Sequence, residues 1–386
     1  MSLTDSAKSH RVMIVAGEAS GDLHGSNLVL AAAEHQPQLS FFGVGGDKMS
    51  AAGCWIVFPS DELSVMGAVE VISQLPKIFR RFRQLKNILL GDNPPDLLVL
   101  IDFPDFNLRL AKVAKAAGIP VLYYISPKVW AWRSGRAKVI AERVDRLALI
   151  FPFEKEIYAP LGVNAEYVGN PLLDEYAHNQ PQGLLRDKLG IGADAQVVGI
   201  FPGSRNSELQ YILDTLVATA ELLHTQRPAV KFLLPVAPSL SRTLLEQRFS
   251  QTALPISIVE ENIYEVATAC DAVLTVSGSV TLQLSLVGAP MAILYKVAPL
   301  SYHIGKFLIK ISSFGLPNIV ADRKIVREFI QDDAEPALLC DEMLKLLDDQ
   351  DYRKRMKQDL QEVQQLLGEP GCSVRVADMI AEMLSA

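Results

Sequence analysis

The sequence predicts an α/β protein of two Rossmann-like domains facing across a cleft, with helices at its C-terminal end. Three observations carry that expectation. The chain has 386 residues, more than one hydrophobic core ordinarily organises. Short apolar runs bounded by turn signals alternate with helical patterns, as buried parallel strands joined by helices do. The alternation stops at a polar segment, Asn179–Gly183, and then restarts. Domains are therefore expected over 1–178 and 179–350, with helices over 351–386 that can cross back to the first domain.

Val12–Ala16 reads as the first strand, and Gly17-Glu-Ala-Ser-Gly-Asp22 as the turn into a helix from about Leu23 to His35. The turn lacks Gly-x-Gly-x-x-Gly, and its two carboxylates, Glu18 and Asp22, would repel a pyrophosphate. Asp22 reads as the helix N-cap. Glu18 has no capping role and stands where a sugar hydroxyl or amide could be held, at a strand's carboxyl end. Ser40–Val44 is a second strand, and the glycines of Gly43-Val-Gly-Gly46 read as a tight turn. From Val71 to Leu90, apolar Val71, Leu75, Ile78, Phe79, Phe82, Leu85 and Leu89 recur at helical spacing. Lys77, Arg80, Arg81, Arg83 and Lys86 lie between them, with no acid in the stretch. Such an element is either a domain helix with a solvated polar face or a basic amphipathic helix on anionic lipid.

Leu97–Ile101 is an unbroken apolar run that ends in a carboxylate, Asp102. Ligands of open α/β sheets sit at such strand ends, so Asp102 is placed either as a base or as a buried carboxylate paired to an arginine. Asp105, just before a helix over Phe106–Ala117, reads as its N-cap. Ile119–Ser126 is a further strand, running into Pro127-Lys-Val-Trp-Ala-Trp-Arg133. Trp130 and Trp132 in that loop can pack on a sugar face or acyl chain, or plug the end of a core. Arg146–Phe151 and Asn164–Val168 complete the domain.

In the second half, Gln196–Phe201 is a strand, Pro202-Gly-Ser-Arg205 a turn and Glu208–Gln226 a helix. Strands follow at Val230–Pro235, Ile256–Glu260, Ala272–Val276 and Pro290–Tyr295, and the end from about Ala334 is helical. Ser277-Gly278-Ser279 joins a strand to a helix running through Val287, so backbone N–H groups and the helix dipole would face an anion. Arg205 can clamp a diphosphate bidentately, or pair with Glu208 one turn on. A carboxylate in one domain and a diphosphate site in the other suggest group transfer from a nucleotide-activated donor. No Gly-x-x-x-x-Gly-Lys is present, which argues against a P-loop ATPase or kinase.

Composition narrows the classes further. A net charge of −7 gives no basic footprint for nucleic acid. Four scattered cysteines with no Cys-x-x-Cys fit a reducing cytosol and argue against a disulfide framework or zinc site. The polar start and the lack of a run of ~18 apolar residues predict neither a signal peptide nor a membrane span. A soluble or peripheral protein is expected.

Six strings occur in order: Gly-Glu-Ala-Ser-Gly-Asp at 17–22, Ile-Asp-Phe-Pro-Asp-Phe-Asn at 101–107, Ser-Pro-Lys-Val-Trp-Ala-Trp-Arg at 126–133, Pro-Gly-Ser-Arg-Asn-Ser-Glu at 202–208, Ser-Gly-Ser-Val-Thr-Leu at 277–282 and Leu-Pro-Asn at 316–318. Together they resemble the lipid-A-disaccharide synthase family, inverting glycosyltransferases of the glycosyltransferase B fold. The resemblance covers nearly the whole chain. It implies transfer of 2,3-diacylglucosamine from its UDP derivative to the 6-hydroxyl of 2,3-diacylglucosamine 1-phosphate, with no metal or other cofactor. By motif, the family's essential aspartate falls on Asp102, its arginine on Arg205, its asparagine on Asn318 and its first-loop acid on Glu18. Ser277, Gly278, Ser279 and Gln283 fall on the donor side, and Ser20, Trp130 and Trp132 on the acceptor side. Because both substrates carry acyl chains, Phe79, Arg80, Arg81, Phe82 and Arg83 become a docking surface for the inner face of a bacterial inner membrane. The acid-free Tyr302–Phe314, with Lys306, Phe307 and Lys310, would assist. The location implied is cytoplasmic and peripheral, and a homodimer is compatible with it.

Two positions depart from the family's pattern. Gln283 stands where a glutamate is usual, which weakens a bond to a ribose diol by roughly half. Asp322 stands where a glycine is more usual. Two rival readings remain: a UDP-sugar 2-epimerase, which shares the architecture but needs no lipid, and a non-catalytic nucleotide-sugar or lipid-binding protein.

Overall fold

The computed structural model has two α/β units, each wound around one fully parallel sheet. It describes residues 9–63, 68–132, 134–204, 206–237, 239–298, 302 and 313–385, without the side chains of 68–74 and 206–208. The first sheet holds β1 (His10–Ala16), β2 (Leu39–Gly45), β3 (Trp55–Pro59), β4 (Leu97–Ile101), β5 (Val121–Tyr124), β6 (Arg146–Leu149) and β7 (Ala165–Tyr167). The second holds β8 (Val197–Phe201), β9 (Lys231–Pro235), β10 (Ile256–Val259), β11 (Ala272–Val276), β12 (Met291–Tyr295) and β13 (Glu328–Ile330). Strand orders are β3-β2-β1-β4-β5-β6-β7 and β10-β9-β8-β11-β12-β13. Each order reverses direction once, between β1 and β4 and between β8 and β11. Those are the switch points where loops on the two sides splay apart and leave a crevice.

The apolar runs form central strands because both faces of a parallel sheet are covered. In β4, Leu98 and Leu100 join one core cluster while Leu97, Val99 and Ile101 join the cluster on the other face. All five are fully buried, each worth roughly 1.5–3 kcal/mol of burial. The edge strands β3 and β13 are less fully covered. Trp55 in β3 is 68% exposed, and β13 has three residues beginning with Glu328.

The units are Met1–Asp174 with Glu369–Ala386, and Glu175–Gly368. The boundary therefore falls inside the helix Pro171–His178, not in the polar segment Asn179–Gly183. Two carboxylates explain the division. Glu265 accepts the backbone N–H groups of Gln182, Gly183, Leu184 and Leu185, tying that segment to the second unit. Asp174 accepts those of Gly371, Cys372 and Ser373, fixing the start of the helix Cys372–Ser385 to the first unit. There it packs on the helix Ala19–His35, and Arg375 Nε reaches the Val168 carbonyl at 2.7 Å. The helix Gln350–Leu366 stays with the second unit, so only the final helix returns.

Candidate active site

At the first switch point, β1 and β4 run side by side and end at Ala16 and Ile101. The next residues are Gly17-Glu18 and Asp102-Phe103. Asp102 and Phe103 both adopt left-handed backbone, with φ of 42° and 49°. Each such non-glycine residue costs about 1–2 kcal/mol. Two side chains converge on the Asp102 carbonyl: Tyr123 Oη donates at 2.6 Å and Asn107 Nδ2 at 2.8 Å. At a net ~0.5–1.5 kcal/mol apiece these bonds offset most of the strain. Asn107 Nδ2 also reaches the Ile101 carbonyl at 3.1 Å. The turn brings the Phe103 ring over Gly17, where an added Cβ would lie 2.4 Å from it, so the position demands glycine.

Burial pushes the Asp102 carboxyl up to about 6, and the nearby Glu18 adds to the rise. Lys128, the Phe103 backbone N–H and Arg136 work in the opposite direction. A carboxylate so raised is still ionised near neutral pH and is a better proton acceptor than an ordinary one. Glu18 is exposed, and Ser20 lies exposed in the first helical turn behind it.

Two capping expectations are corrected. The helix Ala19–His35 begins before Asp22, and Glu18 occupies its N-cap position without a side-chain bond. Asp22 is buried and accepts instead from Gly46, Lys48 and Met49 N–H, holding the start of the short helix Asp47–Ala51. Asp105 is not a cap either. The helix Pro104–Ala116 starts two residues earlier with Phe103 as its N-cap, and Asp105 pairs with Arg136.

The loop after β5 separates its two tryptophans. Trp130 is half-buried, edge-on to Phe151 and Phe153 at 6.4 and 5.5 Å. It plugs the end of the core instead of offering a platform. Trp132 is 41% exposed, with the Arg136 guanidinium 5.3 Å from its ring centre. Beneath them lies Glu154, 1% exposed, its carboxyl pushed up to about 8 by burial. Trp130 is close enough to lower that value, yet its buried Nε1 makes no hydrogen bond of good geometry among the described residues. Sequence reasoning passed over Glu154, Lys128, Arg136, Asn107 and Tyr123. Only Lys128 and Asn107 had a signal, since both fall within the quoted motifs.

At the second switch point, β11 ends at Val276 and the turn Ser277-Gly278-Ser279 opens the helix Val280–Leu286. Ser279, at the N-cap position, makes no side-chain cap bond, and open space surrounds Gly278 where a Cβ would point. Ser277 Oγ donates to the Phe314 carbonyl at 2.8 Å. Gln283 Nε2 donates to Glu175 at 2.9 Å, and Tyr264 Oη reaches the same oxygen at 3.2 Å. A carboxylate thus stands beside the neutral amide. Arg205 and the Glu208 side chain lie outside the described residues.

The Asn318 side chain is turned inward. It is 2% exposed, and its amide donates to the Val326 carbonyl and Glu328 while accepting from Ile325 and Val326 N–H. Glu328 in turn accepts from Phe314 and Gly315 N–H. With its hydrogen-bonding capacity used internally, Asn318 fixes the strand-end loops and has nothing left for a direct contact. Asp322 holds φ of 50°, which explains why glycine suits that position.

The basic helix is Ala68–Leu89. Leu75, Phe79, Arg80 and Arg83 are exposed. Arg81 instead binds Glu62 bidentately at 2.7 and 2.8 Å and covers the Phe58 ring, while Phe82 packs edge-on to Phe106. Arg81 and Phe82 therefore leave the expected lipid-facing set. Lys306, Phe307 and Lys310 lie outside the described residues, and no described helix is long and apolar enough to cross a membrane.

Two doubly wound parallel-sheet units, each with polar groups at its switch point, define a protein of the glycosyltransferase B fold. The solved neighbours agree. A putative UDP-N-acetylglucosamine 2-epimerase from Listeria monocytogenes superposes with a TM-score of 0.63, covering 97% of this chain and 95% of that one at 14% identity. The UDP-GlcNAc 2-epimerase of Neisseria meningitidis bound to UDP-GlcNAc gives 0.62, covering 97% and 99% at 13% identity. At such identities the likeness is one of fold. Sequence goes further: the chain belongs to the lipid-A-disaccharide synthetase family, whose model matches residues 12–381. The lipid-A-disaccharide synthase of Syntrophotalea carbinolica is 54% identical, over 97% of this chain and 95% of its own length. That of Geobacter metallireducens is 46% identical over 98% of both.

Proposed function

We infer that the chain catalyses the lipid-A-disaccharide synthase reaction. It transfers 2,3-diacylglucosamine from its UDP derivative to the 6-hydroxyl of 2,3-diacylglucosamine 1-phosphate, giving the β-1,6 disaccharide 1-phosphate and UDP. The observation that carries the mechanism is the half-buried, strand-end Asp102, with its carboxyl raised to about 6 beside Glu18. Asp102 takes the acceptor hydroxyl proton as that oxygen bonds to the donor anomeric carbon, and the bond from that carbon to UDP breaks with inversion. Arg205 and backbone N–H groups near Gly278 and Ser279 meet the charge developing on UDP. Glu175 with Gln283 supplies a carboxylate–amide pair for ribose hydroxyls. Asn318 acts by holding Glu328 and the loops around it. Exposed Trp132 and Lys128 and the half-buried Arg136 surround the acceptor side, and Glu18 and Ser20 complete it.

No metal is required, because protein groups take over that neutralisation. Leu75, Phe79, Arg80 and Arg83 dock the protein on the cytoplasmic face of an anionic inner membrane, Leu75, Phe79 and Arg83 sharing one face at four-residue spacing. The test is to mix purified protein with both substrates, with and without a chelator. UDP and disaccharide are expected to form together in either case, and Asp102→Asn is expected to lower turnover by about 10²–10⁴-fold with the fold intact. Turnover within a few-fold of the parent would remove Asp102 from its role. Interconversion of plain UDP-sugars without acceptor would favour an epimerase instead.

A further inference from the structure

We propose that Asn107 and Tyr123 are positioning residues for the base, pinning the Asp102 carbonyl so that its carboxylate stays in the left-handed turn beside Glu18. The proposal rests on the reading of Asp102 as the base. Two consecutive non-glycine residues in left-handed backbone do not persist unless their surroundings over-determine them. Here the over-determination converges on one atom. Tyr123 Oη, from the neighbouring strand β5, and Asn107 Nδ2, from the first turns of the helix that follows, meet at the Asp102 carbonyl oxygen.

Both anchors are themselves held. Tyr123 and Asn107 are 0% exposed, and burial keeps the Tyr123 phenol protonated and able to donate. Asn107 keeps a buried Oδ1 that accepts no hydrogen bond among the described residues. Leaving such an oxygen unpaired is unfavourable, and a side chain chosen only to fill the core would not carry it. What the amide uniquely supplies is its N–H pair, bonded to the carbonyls of Ile101 and Asp102 and lying 3.5 Å from that of Val15. One side chain thereby ties together the ends of β1 and β4, the two strands whose loops carry Glu18 and Asp102. Without these bonds the turn relaxes toward ordinary backbone, and the carboxylate swings into solvent and loses its alignment.

The experiment compares Tyr123→Phe, Asn107→Ala and Asp102→Asn with the parent, following disaccharide formation from pH 5 to 9 alongside thermal melting. Tyr123→Phe is the primary variant, because it keeps the buried ring and removes only the donor. Its kcat is expected to fall roughly 10–100-fold with both KM values within about threefold, as misplacement of a reacting group does. The acidic limb of its kcat/KM profile is expected to move down from about 6, since a more solvated carboxylate ionises more readily. Asn107→Ala should show the same shift, read below its own melting temperature. A Tyr123→Phe rate within twofold of the parent, or a loss with the acidic limb unmoved, overturns the proposal. If Asp102→Asn itself keeps near-parental turnover, the base assignment falls first. If Asp102→Asn is inactive and Tyr123→Phe is normal, only the positioning role is lost.

Discussion

The two switch points share a topology and differ in what their polar groups do. At the β1/β4 crevice, Asp102 and Glu18 stand close enough to raise the Asp102 carboxyl, with Lys128 and Arg136 as partial counterweights. Backbone strain accumulates there, and the nearby bonds serve to hold it. Beside the β8/β11 crevice the buried groups are internally matched. Asn318 and Glu328 satisfy one another and four backbone N–H groups. Proton transfer needs a group held in an environment that perturbs it, whereas a diphosphate site needs rigid backbone and cations. In the mechanism proposed above, one supersecondary plan serves both halves of the group transfer.

The largest expected effect sharpens that contrast. Asn318→Ala leaves Glu328 and two backbone N–H groups short of a buried partner, so stability is expected to fall by about 2–4 kcal/mol in chemical denaturation. Activity lost with unchanged stability would make Asn318 a ligand group and erase the difference between the two sites.

Glu154 tests whether the first site is electrostatically perturbed. Its folded pKa of about 8 lies above the ordinary value of 4.5, so between those pH values the folded state holds a proton that the unfolded chain has released. Its contribution to stability therefore falls as pH rises through that window. Glu154→Gln mimics the protonated form and should melt higher than the parent at pH 9, by about 1–3 kcal/mol, with little change at pH 5. An equal effect at both pH values would break the account.

The basic helix offers a smaller effect. Arg80→Ser with Arg83→Ser should weaken salt-sensitive binding to anionic vesicles roughly 30-fold, at ~1 kcal/mol per surface cation. Arg81→Ser should change vesicle binding less and lower the melting temperature, because Arg81 already engages Glu62. The reverse pattern would put Arg81 back on the lipid face. Smallest is Asp322→Gly, which relieves a left-handed residue and should leave stability unchanged or raise it by about 0.5–1 kcal/mol. A clear loss would show that the carboxylate itself is needed.

Local pattern made much of this legible. Buried parallel strands read as apolar runs because both their faces are covered, so the eleven strands other than β3 and β13 stood out. Of the two exceptions, β13 has only three residues and opens on Glu328, whereas β3, Trp-Ile-Val-Phe-Pro, is an apolar run that was legible and passed over. Asp102 was visible because a carboxylate ending an apolar strand has no local role. Caps were less legible. Asp22 and Asp105 sit in first helical turns, and whether such a side chain turns back on its own helix or outward depends on neighbours far along the chain: Gly46, Lys48 and Met49 for one, Arg136 for the other.

The same division runs through the whole molecule. By itself the sequence determined the α/β class, the alternation on two sheets, the family and the place of a carboxylate at the end of β4, because periodicity and motif are local properties. Tertiary structure alone decided that Phe82 and Arg81 turn inward while Phe79 and Arg83 face out, since a helical repeat does not say which rim of the stripe meets the core. It also decided that Asn318 is fully bonded, that the last helix rejoins the first unit, and that Asn107 and Tyr123 meet at the carbonyl of Asp102. Each of these depends on which distant residue supplies the partner, and buried polar groups take the partner that satisfies them wherever it lies in the chain.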